Sequence, residues 1–154
     1  MQRIVLVGML LVAGAWLAPG CGHAGSAANQ SSAVGRPTLL LNLTHGKSDL
    51  HAASMGLNLA KTALTHGSQV VVFLNVDAAA LADRELGADV RFADFPPVAE
   101  LLREIIAKGG KVFVCAHCAS LLKLDKDRLA PGIVLSEHGD ILKALQPGMV
   151  GFSY

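Results

Sequence analysis

Gln69-Val70-Val71-Val72-Phe73-Leu74-Asn75 is β-branched and almost continuously apolar, the composition of a central strand buried on both faces. Upstream, Thr38-Leu39-Leu40-Leu41-Asn42-Leu43 is another short apolar run, ending in Thr44-His45-Gly46, and it reads as a strand followed by a turn. Between the two runs Ser48 and Asp49 offer capping oxygens. Leu50, Ala53, Leu57, Ala60 and Leu64 then recur at spacings of three and four, one apolar stripe along a helix. His66-Gly67 closes that helix, with Gly suited to the left-handed position and His to the negative end of the dipole. A strand, a helix and a strand in this order form a βαβ unit.

Downstream the alternation continues. Ala78 to Leu86 predicts a short helix and Gly87 to Phe95 a loop before Pro96-Pro97. An amphipathic helix follows, with Val98, Leu101, Leu102 and Ile105 inward and Gly109-Gly110 ending it. Lys111-Val112-Phe113-Val114 is a strand leading to Cys115, a helix begins near Cys118, and Ala130-Pro131-Gly132 is a turn before the apolar run Ile133-Val134-Leu135. A last helix over Gly139 to Leu145, stopped by Pro147-Gly148, precedes a terminal strand from Met149 to Tyr154. The expected fold class is α/β: a single three-layer α/β/α domain over residues 37–154, with a mostly parallel sheet, helices on both faces and right-handed crossovers.

The chain ahead of the domain reads as an export address. Arg3 gives a positive n-region, Ile4 to Leu17 an uncharged apolar h-region, and Ala18-Pro19-Gly20-Cys21 small residues for cleavage. This run falls short of the ~20 apolar residues that a spanning helix needs. Residues 1–20 are therefore expected to be a signal peptide and residues 21–36, rich in Gly, Ser and Ala, a flexible tether. Cys21 stands where the lipobox cysteine of bacterial lipoproteins stands, although Pro19 is unusual there and Leu17 lies one place upstream of the usual leucine. Acylation of Cys21, which would tether the protein to a membrane, and ordinary cleavage nearby are the two alternatives. Both place the protein in the periplasm or on the periplasmic side of a membrane. A formal net charge of +1, with no cluster of Lys and Arg on one face, gives no case for nucleic acid.

In an open parallel sheet, ligands sit beyond the carboxyl ends of the strands. Three segments reach that rim: Thr44-His45-Gly46, Asn75-Val76-Asp77 and Cys115-Ala116-His117-Cys118. Two thiols three residues apart, at a strand exit and a helix mouth, are placed for sulfur chemistry, because free N–H groups and the helix dipole favour thiolate, persulfide and sulfenate anions. Cys115 and Cys118 are the candidate chemical residues, with His45, Asn75 and His117 as candidate support. Asp77 reads as the start of a short helix. In an oxidising compartment the two thiols are expected to rest as a disulfide, although so short a loop restrains the unfolded chain little.

Rival chemistries fit less well. Haem attachment needs His where Ala119 stands, structural zinc needs four ligands, and no Gly-rich phosphate loop occurs. No cofactor or resident metal is expected, although both thiolates with His45 or His117 would make a soft site for Cu(I). A thioredoxin-like CxxC is the stronger rival, but such a chain carries its motif earlier than the third strand.

The segments Asn42-Leu43-Thr44-His45-Gly46 with the helix from Asp49, Val70 to Asp77, and Lys111 to Cys118 together resemble the DsrE/DsrF-like family, whose members include sulfur-trafficking proteins. The likeness runs from Leu39 to the C-terminus, and its chemical specificity lies in the cysteine segment. It implies that a cysteine after the third strand, Cys115 or Cys118, accepts sulfur as a persulfide, and that the chain assembles as a trimer or hexamer. Two departures stand out: relatives are mostly cytoplasmic, and many carry Arg-Gly where this chain has Leu122-Lys123. The expected function is an exported, sulfurtransferase-like carrier or relay that holds sulfane sulfur at the CxxC. The alternatives are a periplasmic thiol-disulfide oxidoreductase and a non-catalytic module that binds a soft metal or a protein.

Overall fold

The computed structural model describes residues 36–137 and 139–154. The expected signal peptide, Cys21 and all of the tether before Arg36 lie outside the described residues. Strands β1 (Thr38–Leu43), β2 (Gln69–Leu74), β3 (Lys111–Cys115), β4 (Ile133–Ser136) and β5 (Val150–Ser153) alternate with helices α1 (Leu50–Thr65), α2 (Val98–Ala107), α3 (Ala116–Leu121) and α4 (Asp140–Ala144). The sheet order is β4-β3-β2-β1-β5, and every pairing is parallel. β2 is central, as its unbroken apolar run requires.

Register decides which side chains share a face. Leu39 pairs with Val70, Leu41 with Val72 and Leu43 with Leu74; Val72 and Leu74 pair onward with Val112 and Val114, and Val112 with Ile133. These residues form one buried apolar row. Ala53, Leu57 and Ala60 of α1 and Leu101, Leu102 and Ile105 of α2 lie in the same buried cluster. Each large apolar side chain taken out of water here contributes roughly 1.5–3 kcal/mol before its entropy cost. α1 ends as its sequence directs: the Asp49 carboxylate accepts from the Ala52 N–H at 2.9 Å, and Gly67 takes φ +83° beyond the His66 cap.

The other face carries Leu40, Phe73 and Phe113, all half-buried, and the exposed Val134. The return crossover from β4 to β5 runs across the sheet in the opposite sense to the others, so a right-handed connection sends α4 to this side. Ala144 and Gln146 there line one cavity with Val71 and Lys111 of that face.

Two local expectations are corrected. The helix expected over Ala78 to Leu86 is instead a 3-10 run, Val76–Ala82, that buries Ala78, Ala79, Leu81 and Ala82. It stops at Asp83 because the chain there pairs with the segment before β4: the Arg84 N–H donates to the Arg128 carbonyl at 2.8 Å and the Ala130 N–H to the Ala82 carbonyl at 2.8 Å. The Arg128 guanidinium binds the Asp83 carboxylate at the same place. The helix expected near Cys118 begins two residues earlier, at Ala116, with Cys115 as its N-cap residue.

The contrast between the core row and the β5 edge is measurable. Leu74→Ala removes a side chain with 0 % exposure and is expected to cost about 2–5 kcal/mol in denaturant unfolding. Val150→Ala, at a side chain 54 % exposed, is expected to stay within about 0.5 kcal/mol.

Candidate functional site

β1, β2 and β3 end at one edge of the sheet, and their exit turns are tied together by hydrogen bonds. The Asn75 N–H donates to the Leu43 carbonyl at 3.0 Å and the Ala78 N–H to the Thr44 carbonyl at 3.2 Å. Asp77 supplies the main tie: its Oδ2 accepts from the Gly46 N–H at 3.1 Å, the Ser48 N–H at 3.1 Å and the Ser48 hydroxyl at 2.6 Å. The Ser48 hydroxyl, with help from the two N–H groups, holds this carboxyl below the usual aspartate range. Glycine is required at position 46, since a Cβ there would lie 2.5 Å from the Asp77 carbonyl oxygen.

That tie fixes an unusual turn. Val76 has φ +50°, a left-handed conformation that a β-branched residue adopts at a cost of about 1–3 kcal/mol. Its peptide N–H donates to the Cys118 sulfur at 3.2 Å. Cys118 lies in the first turn of α3 and packs against the apolar core, while Cys115 caps that helix at the end of β3, opposite Ser136 of β4.

Both cysteines are free and half-buried, with no disulfide between them in this structure. Nor is the Cys118 thiol lowered as a helix mouth suggests. Burial pushes it up, the Val76 N–H pulls against this, and the neighbouring Cys115 pushes the same way as burial. α3 is only six residues long, and its dipole is correspondingly short. Val76, Leu121 and Leu122 expose apolar surface nearby on the turn after β2 and on α3.

The expected supporting residues divide. The side-chain amide of Asn75 donates to Asn42 Oδ1 at 2.5 Å, and Asn42 Nδ2 donates to Ser153 Oγ at 3.2 Å. This polar ladder joins the ends of β2, β1 and β5. His45 Nδ1 lies 3.2 Å from Thr44 Oγ1, whose hydroxyl donates to the Tyr154 carbonyl at 2.8 Å, so its ring is engaged on the β1 and β5 side. His117 is exposed on α3. Among the described residues no three His, Cys, Asp or Glu side chains converge to hold a metal ion, so the soft-metal set of both thiols with either histidine is not assembled there.

Sequence reasoning placed Asn75-Val76-Asp77 on the rim but missed the roles of its last two residues. Asp77 stands in the first turn of the 3-10 run, but its carboxylate does not cap that run; it reaches back across 31 positions to Gly46. Its low proton affinity has a consequence for stability. A carboxyl lowered on folding contributes stability that is present above the unfolded value, near about pH 4, and lost as pH falls through the lower folded value. Asp77→Ala is therefore expected to be less stable than the parent at neutral pH. In urea melts across a pH series, that difference shrinks steadily below about pH 4.

Three comparisons place this geometry among known proteins. At the level of fold, the chain is similar to the ychN protein of E. coli, with TM-score 0.64 and 13 % identity over 78 % of this chain and 100 % of that one. It is also similar to MTH1491 of Methanobacterium thermoautotrophicum, a protein of unknown function, with TM-score 0.57 and 12 % identity over the same shares. At the level of sequence it is 28 % identical over 93 residues to the uncharacterized protein MJ0760 of Methanocaldococcus jannaschii, covering 60 % of this chain and about a third (34 %) of that relative's length. The profile of the DsrE/DsrF-like family matches residues 39–150, from β1 into β5 and through both cysteines. By that match the chain belongs to the DsrE/DsrF-like family.

Proposed function

We propose that this protein carries sulfane sulfur as a persulfide on Cys115 and uses Cys118 as the resolving thiol. The observation that carries the reading is the pair itself: two free, half-buried thiols at the exit of β3, one of them held by a peptide N–H. Family membership supports sulfur relay as the type of function.

In the loading step the Cys115 thiolate attacks the outer sulfur of a donor persulfide. A new S–S bond forms on Cys115, the donor's S–S bond breaks, and the donor leaves as a thiolate. In the unloading step an acceptor thiolate attacks the outer sulfur, takes it as its own persulfide and restores the Cys115 thiolate. Without an acceptor, the Cys118 thiolate attacks Cys115 Sγ instead. The 115–118 disulfide forms, and the outer sulfur leaves reduced, as hydrosulfide.

The raised Cys118 thiol also favours a second reading, a thiol-disulfide oxidoreductase in which Cys115 attacks a substrate disulfide and Cys118 resolves the mixed disulfide. We further propose export by residues 1–20, a membrane tether through acylated Cys21, and self-association. The exposed Val150 and Phe152 on edge strand β5 support self-association.

Intact mass spectrometry of the full chain before and after polysulfide tests the reading. The wild type is expected to gain the mass of one sulfur atom, Cys115→Ser to gain none, and Cys118→Ser to keep the adduct for longer. If no form gains sulfur, carriage is wrong; loss of two hydrogens alone favours disulfide exchange. The same spectra report whether Cys21 is acylated.

A further inference from the structure

Three non-glycine residues among those described have positive φ: Val76, Ala93 and Lys123. Only Val76 is β-branched, the side-chain type for which this conformation is least tolerable. Packing does not explain it, because the side chain is 64 % exposed. What the conformation achieves is direction. Asn75 leaves β2 fully extended at φ −139° and ψ 176°, which sets the direction of the next N–H, and the left-handed turn at Val76 carries the chain into the Asp77 clamp while that N–H faces Cys118 Sγ.

Strain of this kind persists only where the surroundings over-determine it. Here the surroundings are the Asp77 carboxylate with its three donors on Gly46 and Ser48, the Ala78 N–H on the Thr44 carbonyl, and the Asn75 N–H on the Leu43 carbonyl. Asp77 is the residue directly after Val76 and is fixed from outside the turn. Its carboxylate does not touch the sulfur, so it acts through the backbone.

We propose that Asp77 is a positioning residue that, by clamping the turn after β2 to the turn after β1, holds the Val76 N–H on Cys118 as a fixed donor for the charge this sulfur develops. The inference rests on the reading that Cys118 ionises as the resolving thiol. When Cys118 loses its proton and attacks Cys115 Sγ, the negative charge begins on a sulfur that already faces an aligned N–H. A preorganised donor needs no rearrangement at that moment. Cys115 is the titratable neighbour acting on Cys118, and the nearby Asp77 carboxylate is taken up by Gly46 and Ser48.

The test measures ionisation, not sulfur transfer. In full-length Cys115→Ser protein, the pH dependence of alkylation at Cys118, followed by mass on its own tryptic peptide, gives the thiol midpoint. Adding Asp77→Ala is expected to raise that midpoint by about one pH unit, roughly the effect of one lost hydrogen bond to a charged group, whereas removal of a neighbouring negative charge by itself would lower it.

Val76→Gly, which keeps the N–H and takes the left-handed turn without strain, is expected to leave the midpoint where it was while the clamp is intact and to melt no lower than its parent. Ser48→Ala, which takes one donor from the clamp, is expected to raise the midpoint by a smaller amount than Asp77→Ala. A turn with no bearing on the sulfur predicts that neither Asp77→Ala nor Ser48→Ala raises the midpoint, and that result overturns the proposal. Failure of sulfur loading in wild-type protein would remove the carrier reading while leaving this midpoint shift to stand or fall alone.

Discussion

The turn after β2 holds its strained shape because one carboxylate accepts three donors from a loop 29 to 31 residues earlier in the chain. Asp77 makes the exits of β1 and β2 a single unit, and the parallel register sets them at the same height, with Leu43 beside Leu74. Both sides of the tie are constrained. Gly46 has no room for a Cβ against the Asp77 carbonyl oxygen, and Ser48 gives its hydroxyl to the clamp while Asp49 caps α1. The sheet core supplies the rigid base, and the clamp converts that rigidity into a fixed direction for one N–H.

Most of the architecture could be read from apolar periodicity. The runs Thr38 to Leu43 and Gln69 to Leu74 are strands as expected, the stripe from Leu50 to Leu64 is α1, and Val98, Leu101, Leu102 and Ile105 are the buried face of α2. These succeed because burial repeats with the period of the element. The segment from Ala78 to Leu86 failed for the opposite reason. Alanine favours helix, but the backbone from Asp83 to Arg84 pairs with residues ahead of β4, and that tertiary pairing overrides local propensity.

The site was legible in part. Both thiols fall on the rim because they follow a strand, a rule of topology that needs no alignment. His45 and Asn75 reach the same rim but are engaged towards β1 and β5. The direction in which a rim side chain turns depends on partners more than thirty positions away, such as Asn42 for Asn75. Val76 carries no local signal at all, since nothing in a valine announces φ +50°. Local preference reserves that conformation for Gly, and now and then Asn or Asp, so the strain originates in the clamp and not in the residue that bears it.

The opposing influences on Cys118 suit the proposed carrier mechanism. A thiol that ionises freely beside a persulfide attacks it at once, closes the disulfide and discharges the cargo as hydrosulfide before an acceptor arrives. Burial against the core pushes the Cys118 thiol up, which in that mechanism protects the loaded state. Complete protonation would be no better, because a persulfide left without an acceptor could then never be cleared. The Val76 N–H pulls against burial and leaves the resolving step open. On the proposed mechanism, the lifetime of the cargo is therefore set where these two influences meet. The Asp77 clamp acts on that balance without touching either sulfur.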